Sequence, residues 1–192
     1  MSRRDLEWLK GQSSNIATLE WGLNYGPIKD SPLNYYTLHM ISQMLNENPL
    51  IGQVVEIGQF TGTISMYLGM ESVARGLDCH SYEILKQTDV PTDRVLTRLG
   101  VHTHYCDVFQ YPEMVIDIIN KKPTLIFIDG GNKHLEYEIF TPHLPQHSII
   151  MVHDFCREVS DDFWHKHSDK VLPININNWG YLNCQTACFK VK

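Results

Sequence analysis

The chain has 192 residues, a formal net charge of −6, and 43% hydrophobic and 20% charged residues. That length supports one sizeable domain with its own core and excludes a dinucleotide-binding domain joined to a separate substrate domain. The acidic balance argues against a nucleic-acid partner, no apolar run reaches membrane-spanning length, and the polar start Met1-Ser2-Arg3-Arg4-Asp5 does not read as a signal peptide.

Residues 1–31 mix Trp8, Trp21 and Tyr25 with Gly11, Gly22, Gly26 and Pro27. They read as an arm packed over the domain or over a partner subunit of a homo-oligomer, as a lid on a pocket, or as aromatics capping the core. A single domain over 32–192 follows. Ser31 as cap and Pro32 at the first helical position predict a helix over Leu33–Asn46, which Pro49 ends. Strand one is expected over Gln53–Ile57, followed by a helix to Arg75 that Gly76 closes. Asp78–Tyr82 is the expected second strand, ending at Glu83, and Pro91–Leu99 a helix stopped by Gly100. Val101–Cys106 reads as strand three, ending at Asp107, and Tyr111–Asn120 as helical. Thr124–Ile128 reads as strand four, ending at Asp129-Gly130, and Leu135–Phe140 as a helix that Pro142 stops. Ser148–Val152 is the expected fifth strand, before His153-Asp154, and Ser160–His167 a helix. Lys170–Ile174 and Leu182–Val191 are the expected last strands, joined by the turn Asn177-Asn178-Trp179-Gly180.

Alternating strands and helices predict an α/β fold: a Rossmann-like, doubly wound, mainly parallel seven-stranded sheet closed by a C-terminal antiparallel hairpin. The five cysteines, Cys79, Cys106, Cys156, Cys184 and Cys188, include no C-x-x-C pair, so free thiols in a cytoplasmic protein are expected.

The stretch from Val54 to Ser65 organises the rest. Apolar, β-branched residues pass through Gly58 and Gly62 into a segment with helical apolar spacing. Such a turn lets backbone approach a ligand closely and offers free N–H donors at the helix start. Glu56, a carboxylate in an apolar strand, needs a partner if buried, and a ligand ammonium is one. In an open parallel sheet ligands lie beyond the carboxyl ends of the strands. Those ends carry four acids in succession, Glu83, Asp107, Asp129 and Asp154. Glu83 lies about one βαβ unit past Gly58, where a carboxylate accepts ribose hydroxyls. Asp107 suits the exocyclic amine of an adenine with Val108 or Phe109 against the ring, and reads almost as well as a helix cap before Tyr111.

The run Val54-Val55-Glu56-Ile57-Gly58-Gln59-Phe60-Thr61-Gly62 resembles the first motif of class I S-adenosyl-L-methionine-dependent methyltransferases, and its Phe60-Thr61-Gly62 is like the catechol and caffeoyl-CoA O-methyltransferase branch. Ile128-Asp129-Gly130-Gly131, then His134 and Ile149–Phe155, is similar to the sugar and natural-product branch, cephalosporin-hydroxylase-like or macrocin-type. The resemblance covers about Gln53 to Phe155. It implies S-adenosyl-L-methionine as cofactor, held by Glu56, Gly58, Phe60, Thr61, Gly62 and Ser65 at the turn, by Glu83 at the ribose, by Asp107 and Val108 at the adenine, and by Asp129. It further implies a divalent cation, Mg or Mn, on Asp129 and Asp154. Relatives add an acid before the latter or an asparagine after it. This chain has His153 before and Phe155 after, and histidine ligates transition metals better than magnesium. Ser65 falls one residue later than in the catechol branch.

Methyl transfer from a sulfonium is an in-line displacement, and a hydroxyl acceptor must lose its proton to a base or through metal coordination. His134 and His153 are the candidate bases, with Asp129 beside them as a catalytic residue. The expected acceptor is a hydroxyl of a small molecule or sugar. The competing readings are a non-catalytic cofactor-binding module of an assembly and an NAD-dependent oxidoreductase; the missing G-x-G-x-x-G disfavours the second. His102, His104 and Cys106 share one face of strand three but are spaced too linearly for a compact metal site.

Overall fold

A computed structural model describes residues 35–155, 158–159, 163–174 and 186–192. The N-terminal arm, the Ser31-Pro32 helix start, the Asn177–Gly180 turn, and Cys156 and Cys184 lie outside the described residues.

The elements run α1 (Tyr35–Glu47), β1 (Gln53–Ile57), α2 (Thr63–Arg75), β2 (Asp78–Glu83), α3 (Val90–Arg98), β3 (Val101–Tyr105), α4 (Glu113–Ile119), β4 (Thr124–Ile128), α5 (Lys133–Phe140), β5 (Ile149–His153), β6 (Val171–Ile174) and β7 (Thr186–Val191). Seven strands form one sheet in the order β3-β2-β1-β4-β5-β7-β6. All neighbours from β3 to β5 are parallel, and β7 runs antiparallel to both β5 and β6. The expected sheet, with its single reversed strand, is what forms.

Every residue of β1, β4 and β5 is buried, because helices cover both faces of the sheet. One core layer sets Leu38, Ile41 and Met44 of α1 and Met66 and Leu68 of α2 against Val54, Leu125 and Phe127. The other sets Val115 and Ile119 of α4 and Tyr137 and Phe140 of α5 against Val55, Ile126 and Ile150. The alternation of strand side chains explains the split: Val54 and Glu56 face one layer, Val55 and Ile57 the other.

Local chemistry sets the helix ends. Gly76 closes α2 in the left-handed conformation at φ 68°, Asp89 accepts the Thr92 N–H to cap α3, and Asn132 accepts the Leu135 N–H to cap α5. Helix α4 begins two residues later than the sequence predicts, because the Asp107 carbonyl takes the Gln110 and Tyr111 N–H groups into a separate turn. Within the helix expected over Ser160–His167, the described residues Phe163–His167 form a 3-10 helix. Among the described residues no helix is long and apolar enough to cross a membrane. Cys79 and Cys106 are free thiols.

The sheet order puts the switch point between β1 and β4, where the chain turns from building outward through β2 and β3 to building through β5. A crevice opens at such a point beyond the strand ends.

Candidate functional site

The turn after β1 is held by its neighbours. Gly58 and Gln59 donate their N–H groups to the Tyr82 carbonyl at 2.9 and 3.1 Å, and Asp129 donates to the Ile57 carbonyl at 2.8 Å. Gly58 sits at φ +93°, and a Cβ there would come within 2.4 Å of the Asp129 carbonyl oxygen. Position 58 therefore has to be glycine on two counts, backbone conformation and lack of space. Phe60 follows at φ +47° with its ring more than half exposed, and Gly62 at φ +86°. Thr61 lies between them, half-buried.

Glu83 ties the end of β2 to this turn. One carboxylate oxygen accepts the Phe60 N–H at 2.8 Å and the other accepts the Ile84 N–H at 2.8 Å. Its carboxylate lines a cleft of about 360 Å³, counting the part open to solvent. Gly58 forms one wall of the cleft, Val108 and Phe109 beyond β3 a second, and Gly130 and Gly131 beyond β4 a third. Asp107 accepts the Phe109 N–H at 2.9 Å through one oxygen, so it builds the turn that presents Val108 and Phe109. Asp107 does not cap α4, whose N-cap position is Pro112.

Sequence reasoning missed another cleft residue, Glu136 of α5. It is almost fully buried and accepts the Gly130 and Asn132 N–H groups at 3.2 and 3.3 Å. A Cβ on Gly130 would strike its carboxylate at 2.1 Å. Burial pushes its pKa up to about 7, against the pull of the two N–H donors. The available signal was an acid amid the apolar positions of a short helix, next to a double glycine.

Glu56 points away from that cleft wall, into the layer beneath α2. It is fully buried, and one of its oxygens takes the hydroxyls of both Ser65 and Ser81. Its other oxygen, Oε1, has no partner among the described residues, and neither has either amide atom of the buried Gln59. Desolvation raises the Glu56 pKa to about 8, the serine bonds opposing it and the charges of Asp129 and Glu83 adding to it. Ser65, read from sequence as a cofactor contact, is therefore buried as a partner of Glu56.

The ends of β4 and β5 bring Asp129, His153 and Asp154 together, with ligand-type atoms all within 4.8 Å of one another. His153 Nδ1 lies 3.0 Å from Asp129 Oδ1 and 3.6 Å from Asp154 Oδ2, a geometry in which the imidazole N–H donates to Asp129. Asp154 holds this position at φ +53°. Burial alone would lower the His153 pKa; the hydrogen bond to Asp129 and the charges of Asp129 and Asp154 outweigh it and leave the imidazole above its ordinary value.

The sequence reading did not single out Lys133, yet its ammonium sits among these groups. Only 5% of the side chain is exposed. Nζ lies 3.6 Å from Asp129 Oδ1, 3.5 Å from Asp154 Oδ2, 2.7 Å from Glu158 Oε2 and 3.1 Å from the Gly130 carbonyl oxygen. The donor set a divalent ion would use is thus already turned toward a buried positive charge, and as arranged it does not fit Mg or Mn. His134, one residue on, is half-buried in the first turn of α5 near Glu138 and is not part of the cleft wall.

The histidines of the sheet edge form a stack. His80 lies over His102 and His104 with ring centroids 4.9 and 5.4 Å apart, and His104 over Tyr82 at 4.5 Å. His80 Nδ1 lies 3.2 Å from His104 Nε2, within hydrogen-bond reach, so the stacked rings are partners of one another.

No family model matches the chain, and no curated protein matches it by sequence. Solved structures do match. The O-methyltransferase TomG from Streptomyces achromogenes, involved in tomaymycin synthesis and solved with SAM, aligns at TM-score 0.63 and 11% identity over 100% of both chains. An O-methyltransferase from Bacillus cereus, solved with SAH, aligns at TM-score 0.60 and 14% identity over 100% of this chain and 92% of that one. The SAH-bound methyltransferase PaMTH1 of Podospora anserina aligns at 0.56 and 12%, over 97% of this chain and 86% of its own. At such identities the likeness is one of fold: this chain has the Rossmann-like architecture on which those methyltransferases are built.

Proposed function

We propose that this chain is an S-adenosyl-L-methionine-dependent methyltransferase that methylates a hydroxyl of a small molecule or sugar. One observation carries the reading: a carboxylate, Glu83, pinned by two backbone N–H groups at the rim of a cleft whose other walls are a glycine turn and the residues beyond β3 and β4. The proteins of like fold named above, solved with SAM or SAH, support it.

In this reading Glu83 accepts the ribose hydroxyls, Val108 and Phe109 flank the adenine, and Gly58 allows the sulfonium end to lie against bare backbone. The buried Gln59 amide, without a partner among the described residues, is the polar group beneath the turn that a methionine carboxylate would satisfy, while Glu56, turned toward Ser65 and Ser81, braces the turn from the other face of the sheet. Thr61 and Gly62 shape the same bend.

Transfer breaks the sulfonium carbon–sulfur bond and forms the ether carbon–oxygen bond while the acceptor gives up its hydroxyl proton. The Asp129–His153 pair is the proposed proton acceptor, because a raised imidazole pKa makes a stronger base and Asp129 stabilises the imidazolium. His134 is the second candidate. Asp154 and Lys133 complete the charge set, and no step needs a divalent ion.

Incubation with S-adenosyl-L-methionine and a panel of sugars and diols tests the activity. Mass spectrometry should show S-adenosylhomocysteine and a product 14 mass units heavier than one acceptor. Cofactor binding with no turnover on any acceptor would instead favour the non-catalytic binding module.

A further inference from the structure

Three features have no part in the proposed transfer so far: the stacked histidines of β2 and β3, the buried carboxyl of Glu136 in the cleft wall, and the ammonium of Lys133 among acids. The third reaches furthest, because it bears on which cation the site uses.

Lys133 opens α5, and the Asn132 cap holds that first turn against the end of β4. This directs the ammonium inward. Four oxygens surround it, three of them from carboxylates on two segments, Asp129 after β4 and Asp154 and Glu158 after β5, and solvent reaches almost none of the side chain. A buried lysine without partners would shed its proton. Here Nζ has partners: it bonds Glu158 Oε2 at 2.7 Å and the Gly130 carbonyl oxygen at 3.1 Å and lies 3.6 and 3.5 Å from the carboxylates of Asp129 and Asp154. The same Asp129 oxygen that Lys133 faces takes the His153 N–H. The lysine therefore holds the carboxylate in the orientation that orders the imidazole.

We infer that Lys133 is the resident cation of this site: its ammonium serves Asp129 and Asp154 in place of a divalent metal, and it keeps Mg and Mn out. Lys133 is a positioning residue in this account, acting through Asp129 on His153. The inference rests on the methyl-transfer reading only for the reaction that the ammonium serves; the exclusion of metal stands by itself. Removing the ammonium leaves three converging donors with nothing between them, which is the arrangement a transition ion accepts.

The test is a titration of Mn²⁺ into the full chain, followed by electron paramagnetic resonance of the free ion, for wild type, Lys133→Ala, Lys133→Met and Lys133→Arg. Wild type and Lys133→Arg should bind Mn²⁺ no tighter than the millimolar range, and Lys133→Ala and Lys133→Met at least tenfold tighter. A stoichiometric micromolar site in wild type overturns the inference. So does binding by Lys133→Ala and Lys133→Met that is no tighter than wild type, whatever its level. Far-ultraviolet circular dichroism identifies any variant that fails to fold, and the methionine variant keeps the alkyl stem if the alanine one does. S-adenosylhomocysteine titrated into the same samples reports the cofactor reading separately, so the two can fail independently.

Discussion

Phe60 donates its backbone N–H to Glu83 Oε2 at 2.8 Å, so the acid that ends β2 is fastened to the turn that follows β1. The second oxygen is oriented by Ile84 in the same way. A carboxylate held by two N–H groups is pre-organised, and little entropy is lost when it meets a diol. Glu83→Ala should weaken S-adenosylhomocysteine binding at least tenfold, about 1.4 kcal/mol, by calorimetry. Glu83→Gln, which keeps one acceptor oxygen, should fall between. Equal affinities in all three proteins would remove Glu83 from the site.

Gly58 and Gly76 separate space from conformation. Both have positive φ, but a Cβ at 58 strikes the Asp129 carbonyl at 2.4 Å, whereas at 76 nothing lies within 4 Å. Gly76→Ala should cost about 1 kcal/mol, the left-handed penalty alone. Gly58→Ala should cost about 2–4 kcal/mol, because β1 and β4 must part to admit the methyl group. Denaturant unfolding of the two variants measures the difference, and equal losses would contradict the close approach.

Glu56 gives stability a pH dependence of known sign. Its folded pKa of about 8 exceeds the model-peptide value of 4.5, so between those values the folded state holds more protons than the unfolded one. Stability from this group is complete below pH 4.5 and is lost as pH rises toward 8. Glu56→Gln removes the slope. Relative to the variant, wild type should lose on the order of 3 kcal/mol between pH 5 and pH 8. Parallel stability profiles for the two proteins would show that Glu56 is not neutral in the fold.

His80 acts in the opposite sense. Burial, then the neighbouring His102 and His104, depress its pKa to about 4. A histidine depressed from 6.5 contributes stability that is present above that value and is lost as pH falls toward 4. Lys122 also opposes its charge and Asp78 favours it. His80→Asn should therefore lose less of its melting temperature than wild type between pH 7 and pH 4.5. An equal loss would place acid sensitivity elsewhere.

The fold was legible because β1, β4 and β5 are continuous apolar runs that only burial on both faces explains, and because glycines and acids mark their ends. Gly58, Glu83 and the convergence of Asp129, His153 and Asp154 followed from those ends. Lys133 and Glu136 were not legible. Each looks like an ordinary polar residue at the start of a surface helix, and both are buried only because α5 packs its first turn onto the double glycine after β4. His134 drew attention for its imidazole, while its neighbour Lys133 has the central position. Ser65 was legible as part of the turn but not as a partner of Glu56, since that contact depends on how α2 lies over β1.

The central claim is that an adenosyl cofactor lies over the bend at Gly58. Isothermal titration of S-adenosylhomocysteine into wild type and Gly58→Arg tests it most directly. The account predicts one molecule bound per wild-type chain with micromolar affinity and none in a folded Gly58→Arg variant. A wild-type protein that binds none, or a folded variant that binds as tightly, would contradict it.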